Sequence, residues 1–271
     1  MTQERMPHPA PPTPGPVAPP PSGATDRPLD DPRTLQILST EHWSLLATRS
    51  LTWSESFSRS GLFLSVLSAG AVALGLVGGA VGFSSEFTAF ALALLPVILF
   101  VGIATFVRID EVNVEDAYWV AGLNRIRHAY LEIRPGLEPY FTAGWTDDTV
   151  GMARTFAMSR EPTVMNTFIH QFITTPGMIA VIDGALAAAT SGIAVAAFLG
   201  PGMATTIPVA LLIGVATTTL LMYSSVLRGR RITATWETRF PMDPSDATST
   251  AYWAGVSGGD RAQDVRRQPG P

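Results

Sequence analysis

Two neighbouring runs decide the fold: Ser60–Gly82 (SGLFLSVLSAGAVALGLVGGAVG) and Phe87–Val107 (FTAFALALLPVILFVGIATFV). Glu86 is the only charged residue between Arg59 and Arg108. A bilayer core takes about 20 apolar residues of helix to cross, and each run is that long. Residues 83–86 are all that joins them, so the two crossings run in opposite directions as a hairpin. A second pair, Gly177–Leu199 and Ala204–Leu227, repeats the design. The expected fold is all-α: four transmembrane helices in two hairpins, with cytoplasmic helical extensions and disordered termini.

Composition points the same way. The chain has 271 residues, of which 46% are hydrophobic and 15% charged, where a soluble domain carries about 25% charge. Cysteine is absent, which excludes disulfides, thiolate metal sites and cysteine nucleophiles. Every basic residue is Arg; lysine is absent too. With abundant Ala, Gly and Pro, this looks like the codon bias of a GC-rich bacterial genome. His8, His42, His128 and His170 show no ligand spacing, and Asp147-Asp148 reads as a helix cap rather than a metal site. No phosphate loop, dinucleotide fingerprint, zinc-protease helix or nucleophile elbow is present. The expectation is therefore no enzyme activity, no cofactor and no metal. The net charge of −4, with both signs mixed, speaks against nucleic acid as a partner.

Residues 1–30 form a Pro-rich tail with nine prolines between Pro7 and Pro21, which favours extended or disordered chain over helix. It lacks the apolar core of a signal peptide. A helix is expected from Asp31-Pro32, with Asp as N-cap and Pro at the first position. It runs without a breaker into the first span. Gly75-x-x-x-Gly79 and Gly78-x-x-x-Gly82 in that span have the spacing that lets membrane helices approach closely. Pro96 is expected to kink the second span.

Beyond Arg108 the chain turns polar but stays periodic. Ile109, Val112, Asp116, Trp119, Leu123, Ile126, Tyr130 and Ile133 alternate at spacings of three and four, a seam with one charged member. The helix should end at Pro135. Residues 31–134 thus form one unit of lead-in helix, hairpin and long cytoplasmic helix. Residues 135–176 read as a linker region with short helices, one capped by Thr146-Asp147-Asp148. An amphipathic stripe follows at Met165, Phe168, Ile169 and Phe172. The second hairpin occupies 177–231, with Ala188, Gly192, Ala196 and Gly200 as a small-residue face and a turn at Gly200-Pro201-Gly202. Residues 240–271 read as a disordered tail.

Orientation follows from arginine placement. Arg49, Arg59, Arg108, Arg154, Arg160, Arg228, Arg230 and Arg231 all flank one side of the spans, and neither hairpin turn carries one. The positive-inside rule puts both termini and the central region in the cytoplasm of a bacterial inner-membrane protein.

Three constellations stand out as candidate sites. If the two extensions leave the membrane straight and antiparallel, Arg49 comes within a turn of Asp116, the charged seam position. An unpaired seam charge is costly, so an Arg49–Asp116 ion pair is expected, with a looser contact from Glu41 to Arg127 or His128. Asp183 is the one acid inside an apolar run and the candidate intramembrane functional residue. Arg125, Arg127 and His128 are candidates for contact with an anion or a lipid headgroup, against the alternative of a solvated helix face. The function expected is a non-enzymatic, self-associating structural or interaction protein in the lipid bilayer, a homo-oligomer. The alternative is a small channel or transporter using Asp183.

The stretch Asp116–Tyr130 (DAYWVAGLNRIRHAY), followed by Pro135–Tyr140 (PGLEPY), resembles multi-pass membrane proteins of high-GC actinobacteria, a family without an assigned activity. The resemblance implies the four-span fold and transfers no site residue. The lead-in helix, two-span hairpin and long following helix also look like bacterial two-span defence effectors, which implies assembly in the membrane. The second hairpin departs from that layout.

Overall fold

The computed structural model describes residues 29, 31–156, 174–200 and 202–243. Among these the fold is all-α, with four long apolar helices in two hairpins. We label the helices α1 (Pro32–Val81), α2 (Ser85–Ile133), α3 (Thr149–Thr155), α4 (Thr175–Leu199) and α5 (Met203–Thr235), with a 3-10 helix at Pro135–Tyr140 between α2 and α3.

Local chemistry sets the ends. Asp31 caps α1 by accepting from the Arg33 N–H at 2.9 Å, and Pro32 opens the helix, where a missing donor costs least. α1 stops at Gly82, whose φ of 65° lies in the left-handed region that glycine enters freely. Ser84 then caps α2. At 50 and 49 residues, α1 and α2 are each about 75 Å long, more than twice the thickness of a hydrocarbon layer. Pro96 lies inside α2 without interrupting it. The prolines at 135 and 139 end α2 and leave the 3-10 turn.

α2 is the central helix. α1 and α4 both pack along it, and α5 packs mainly on α4 within the apolar layer. The core there joins Phe63 of α1, Leu95, Ile98 and Phe106 of α2, and Ile179 and Leu186 of α4. α4 and α5 approach at backbone distance: a Cβ on Gly214 would sit 2.9 Å from the Ala188 Cβ, and one on Gly184 would lie 2.8 Å from the Gly214 carbonyl oxygen. The small-residue face of α4 is thus the contact between the two helices of its hairpin. Many large apolar side chains of the spans face outward, among them Leu62, Leu76, Phe100, Leu212, Val215 and Leu220. On a soluble protein such a belt would be unstable; a lipid layer is the solvent that accepts it. The chain is a multi-pass membrane protein.

Beyond the apolar layer α1 and α2 stay paired as an antiparallel stalk at the Arg-rich end. α5 also continues past Leu227, to Thr235, and the chain then folds back over α2 through residues 236–243. Docked chain at 240–243 corrects the expected start of the C-terminal tail at 240, and the reason lies in the contacts of Asp147 given below. The expectations for 1–28, for the apolar stripe at 165–172 and for 244–271 lie outside the described residues.

Candidate functional site

The stalk is held by charge pairs between α1 and α2. Arg49 donates to both oxygens of Asp116, from Nε at 2.6 Å and from Nη2 at 3.1 Å. The Trp53 indole N–H donates a third bond to Oδ1 at 3.1 Å. Asp116 is 2% exposed and Arg49 29%. A bidentate guanidinium with an indole donor satisfies a carboxylate that the seam would otherwise bury unpaired. A further bridge between α1 and α2 was not expected from the sequence. Glu55 accepts two bonds from Arg108 at 3.1 Å and one from Arg59 at 2.8 Å. These donors hold its carboxyl down at about 2. Arg108 also reaches Glu115 at 2.9 Å.

The contact expected from Glu41 does not form. Glu41 is exposed, and its neighbour His42 stacks on Tyr130 instead, with ring centroids 5.9 Å apart. Height along the axis does not by itself fix which side chain of a turn reaches the neighbouring helix. Burial, and then the nearby charge of Arg127, push the His42 imidazole below its ordinary 6.5.

A second cluster lies where residues 144–155 meet the end of α5. Asp148 is the N-cap of α3, accepting from the Gly151 N–H at 2.8 Å. Asp147 is not a cap. It is fully buried, and its carboxylate accepts from the backbone N–H groups of Arg239 and Phe240 and from Arg125 Nε at 2.7 Å. Its carbonyl accepts from the Trp236 indole at 2.8 Å. Burial alone would raise this carboxyl; the Phe240 and Arg239 amides and the Arg125 charge outweigh it and hold Asp147 below the usual range. Asp148 adds a bond from the Met242 N–H at 2.9 Å, and His128 stacks on Phe240 at 4.3 Å. This clasp ties the chain after α5 to α2. The one sequence signal for it is an aromatic pair, Trp236 and Phe240, in an otherwise polar segment.

The clasp also accounts for the proposed anion contact. Arg125 pairs with Asp147 and donates to the Glu237 carbonyl. Arg127 donates to Asn124 Oδ1 at 2.9 Å and to the Gly144 carbonyl at 3.4 Å. His128 lies 3.3 Å from Glu132. The three side chains point to different partners and do not converge on one open patch. They share a helix, but each is used by a different neighbour.

Asp183 lies where α1, α2 and α4 meet. It is 0% exposed, and neither carboxylate oxygen has a hydrogen-bond partner among the described residues. Gly102 makes room for it: a Cβ there would overlap Oδ1 and come within 2.9 Å of Phe63 Cε2. Gly102 is six residues before Arg108 on α2, so the carboxyl sits about 9 Å inside the apolar layer from the Arg-rich end. Nearer that end, Asp110 pairs with Arg228 at 2.9 Å and accepts from Ser225, fastening α2 to α5.

These features define a helical multi-pass membrane protein with a paired stalk, a clasped C-terminal segment and, among the described residues, one buried carboxyl without a hydrogen-bond partner on either oxygen. Comparison with models of protein families, with curated proteins and with solved structures finds no match for the chain.

Proposed function

We propose that this is a non-enzymatic membrane scaffold that self-associates, resident in a bacterial inner membrane with its Arg-rich end and both termini in the cytoplasm. One observation carries the reading: on α1 outside the apolar layer, Trp43, Leu51 and Phe57 are 71%, 72% and 65% exposed. Trp43 and Phe57 lie on one face of the helix with Leu51 on its flank, and exposed side chains of this kind on a helix that has left the lipid are characteristic of a surface that meets another protein. The polar clusters of the stalk support a structural role, since Asp116, Asp147 and Asp148 are each engaged by donors of their own chain. The orientation rests on the positive-inside rule, with Arg108, Arg228, Arg230 and Arg231 at one end of the helices. Chemical crosslinking in native membranes, followed by sizing of the purified protein, should show a discrete oligomer. Monomer alone in both measurements would refute the proposal. A periplasmic reporter fused after Pro271 should stay inactive.

Asp183 favours a second reading. A buried carboxyl without donors lowers stability, which makes it a weak structural device and a candidate for ion or solute movement. Proteoliposomes carrying the wild type should then show a flux that Asp183→Asn abolishes. No flux across a panel of ions and small solutes would remove this alternative.

A further inference from the structure

The outer face of α1, opposite α2, is unlike any other exposed surface among the described residues. Beyond residue 40 the charged side chains of α1 are Glu41, Arg49, Glu55 and Arg59. At 3.6 residues per turn all four fall on the side that faces α2 or on its flank. The opposite face carries no charge from residue 43 to residue 82, both outside and inside the apolar layer. It holds two series at heptad spacing, Trp43, Ser50 and Phe57, then Gly61, Ser68 and Gly75, offset by four residues. All six are exposed. A Cβ on Gly61, Gly75 or Gly79 would meet nothing within 4 Å, whereas Gly70 and Gly78 face Ile98 and Phe87 of the chain's own hairpin. A helix face that is only lipid-exposed has no reason to stay charge-free once it leaves the lipid. A solvent-exposed helix face is ordinarily the charged one.

We infer that this face of α1 is the contact with α1 of a second copy, in parallel and around a two-fold axis normal to the membrane. The inference rests on the self-association proposed above and names its surface. Three features select a second copy as the occupant. The partner must be a helix that crosses the bilayer and continues straight out of it, which α1 itself does. Two copies inserted in the same orientation bring their α1 helices together in parallel. On a two-fold axis each side chain meets its own counterpart, so any charge would face a like charge, and this face has none. Heptad spacing within each series suits a shallow crossing, the four-residue offset between them locally unwinds it, and the glycines let the backbones close in within the layer. From residue 43 to residue 82 the seam is about 58 Å long at 1.5 Å per residue.

The absence of cysteine allows a direct test on the full chain in membranes. Single cysteines at Trp43, Ser50, Phe57, Gly61, Ser68 and Gly75 are oxidised, with Leu62, Leu212 and Leu220 as exposed controls away from the seam. Interchain disulfides should form at the seam positions and not at the controls. Gly79→Ile adds a side chain where its own chain leaves space, so the monomer is undisturbed; it should cut seam disulfides about tenfold. Disulfides concentrated at Leu212 and Leu220 would overturn this surface while leaving self-association in place. Seam cysteines that are shielded from a maleimide yet form no interchain disulfide would also overturn it. Monomer under every condition would overturn both proposals.

Discussion

Asp116 is the most informative single position, because it accepts three bonds and links both helices of the stalk. Asp116→Ala removes the acceptor for two Arg49 bonds and the Trp53 indole bond. Taking one partner from a fully buried pair costs about 3–5 kcal/mol. Arg49 is 29% exposed and water recovers part of its solvation, so the expected loss is about 2–3 kcal/mol. In a chain of this size 1 kcal/mol moves Tm by about 2–4 °C, which predicts a fall of roughly 4–12 °C in detergent. The sharper test is the charge swap. Arg49→Asp and Asp116→Arg each place like charges in the seam, and the double variant restores attraction. The rescue should be incomplete, since the Trp53 N–H has no carboxylate in the swapped arrangement; that residue of loss is about 1 kcal/mol. Thermal unfolding of all four proteins gives the coupling energy. A double variant whose loss equals the sum of the singles to within about 0.5 kcal/mol would show that the pair contributes nothing specific.

Three further outcomes are expected. Asp147→Ala should raise amide exchange across residues 236–242 by at least about tenfold without changing exchange in the spans, because the donors it holds are the Arg239 and Phe240 amides; unchanged exchange would mean the segment is held by its aromatic contacts alone. Gly102→Ala should destabilise the helix junction by forcing its Cβ against Asp183 and Phe63, and adding Asp183→Ala should recover part of the loss, read by thermal unfolding. Acid should weaken the stalk. The folded carboxyl of Glu55 lies at about 2 against an ordinary 4.5, and Asp147 is also lowered. The unfolded chain therefore binds more protons, and stability present above pH 4.5 is lost as pH falls toward 2. Glu55→Gln should flatten that decline.

Much of the architecture was legible in the amino-acid order. Four apolar runs of bilayer length, two short turns and one-sided arginines define two hairpins before any contact is known, because crossing a hydrocarbon layer is a one-dimensional requirement on length and polarity. The Arg49–Asp116 meeting was legible for a related reason. Two straight helices leaving the membrane side by side share an axis, so distance along the chain becomes height, and the seam pattern singles out the charge that needs a partner. Glu41 failed the same reasoning because height does not specify rotation.

What only the tertiary structure decided depends on the packing of elements distant in sequence. Asp147 is separated from Phe240 by the whole second hairpin, and no spacing rule links an acidic loop to amides that far along the chain. Asp183 looked like one acid near a span end; the contact of α4 with α1 and α2 makes it a sealed carboxyl, and Gly102 is the residue that allows it. The glycines of α1 read alike in sequence. Packing divides them into Gly70 and Gly78, used within the hairpin, and Gly61, Gly75 and Gly79, left open on a charge-free face. Length, hydropathy and charge sign are local properties, and they determined the class of protein and its hairpins. Which faces are occupied and which remain free is a property of three-dimensional packing, and that decided where this protein has a surface left to offer.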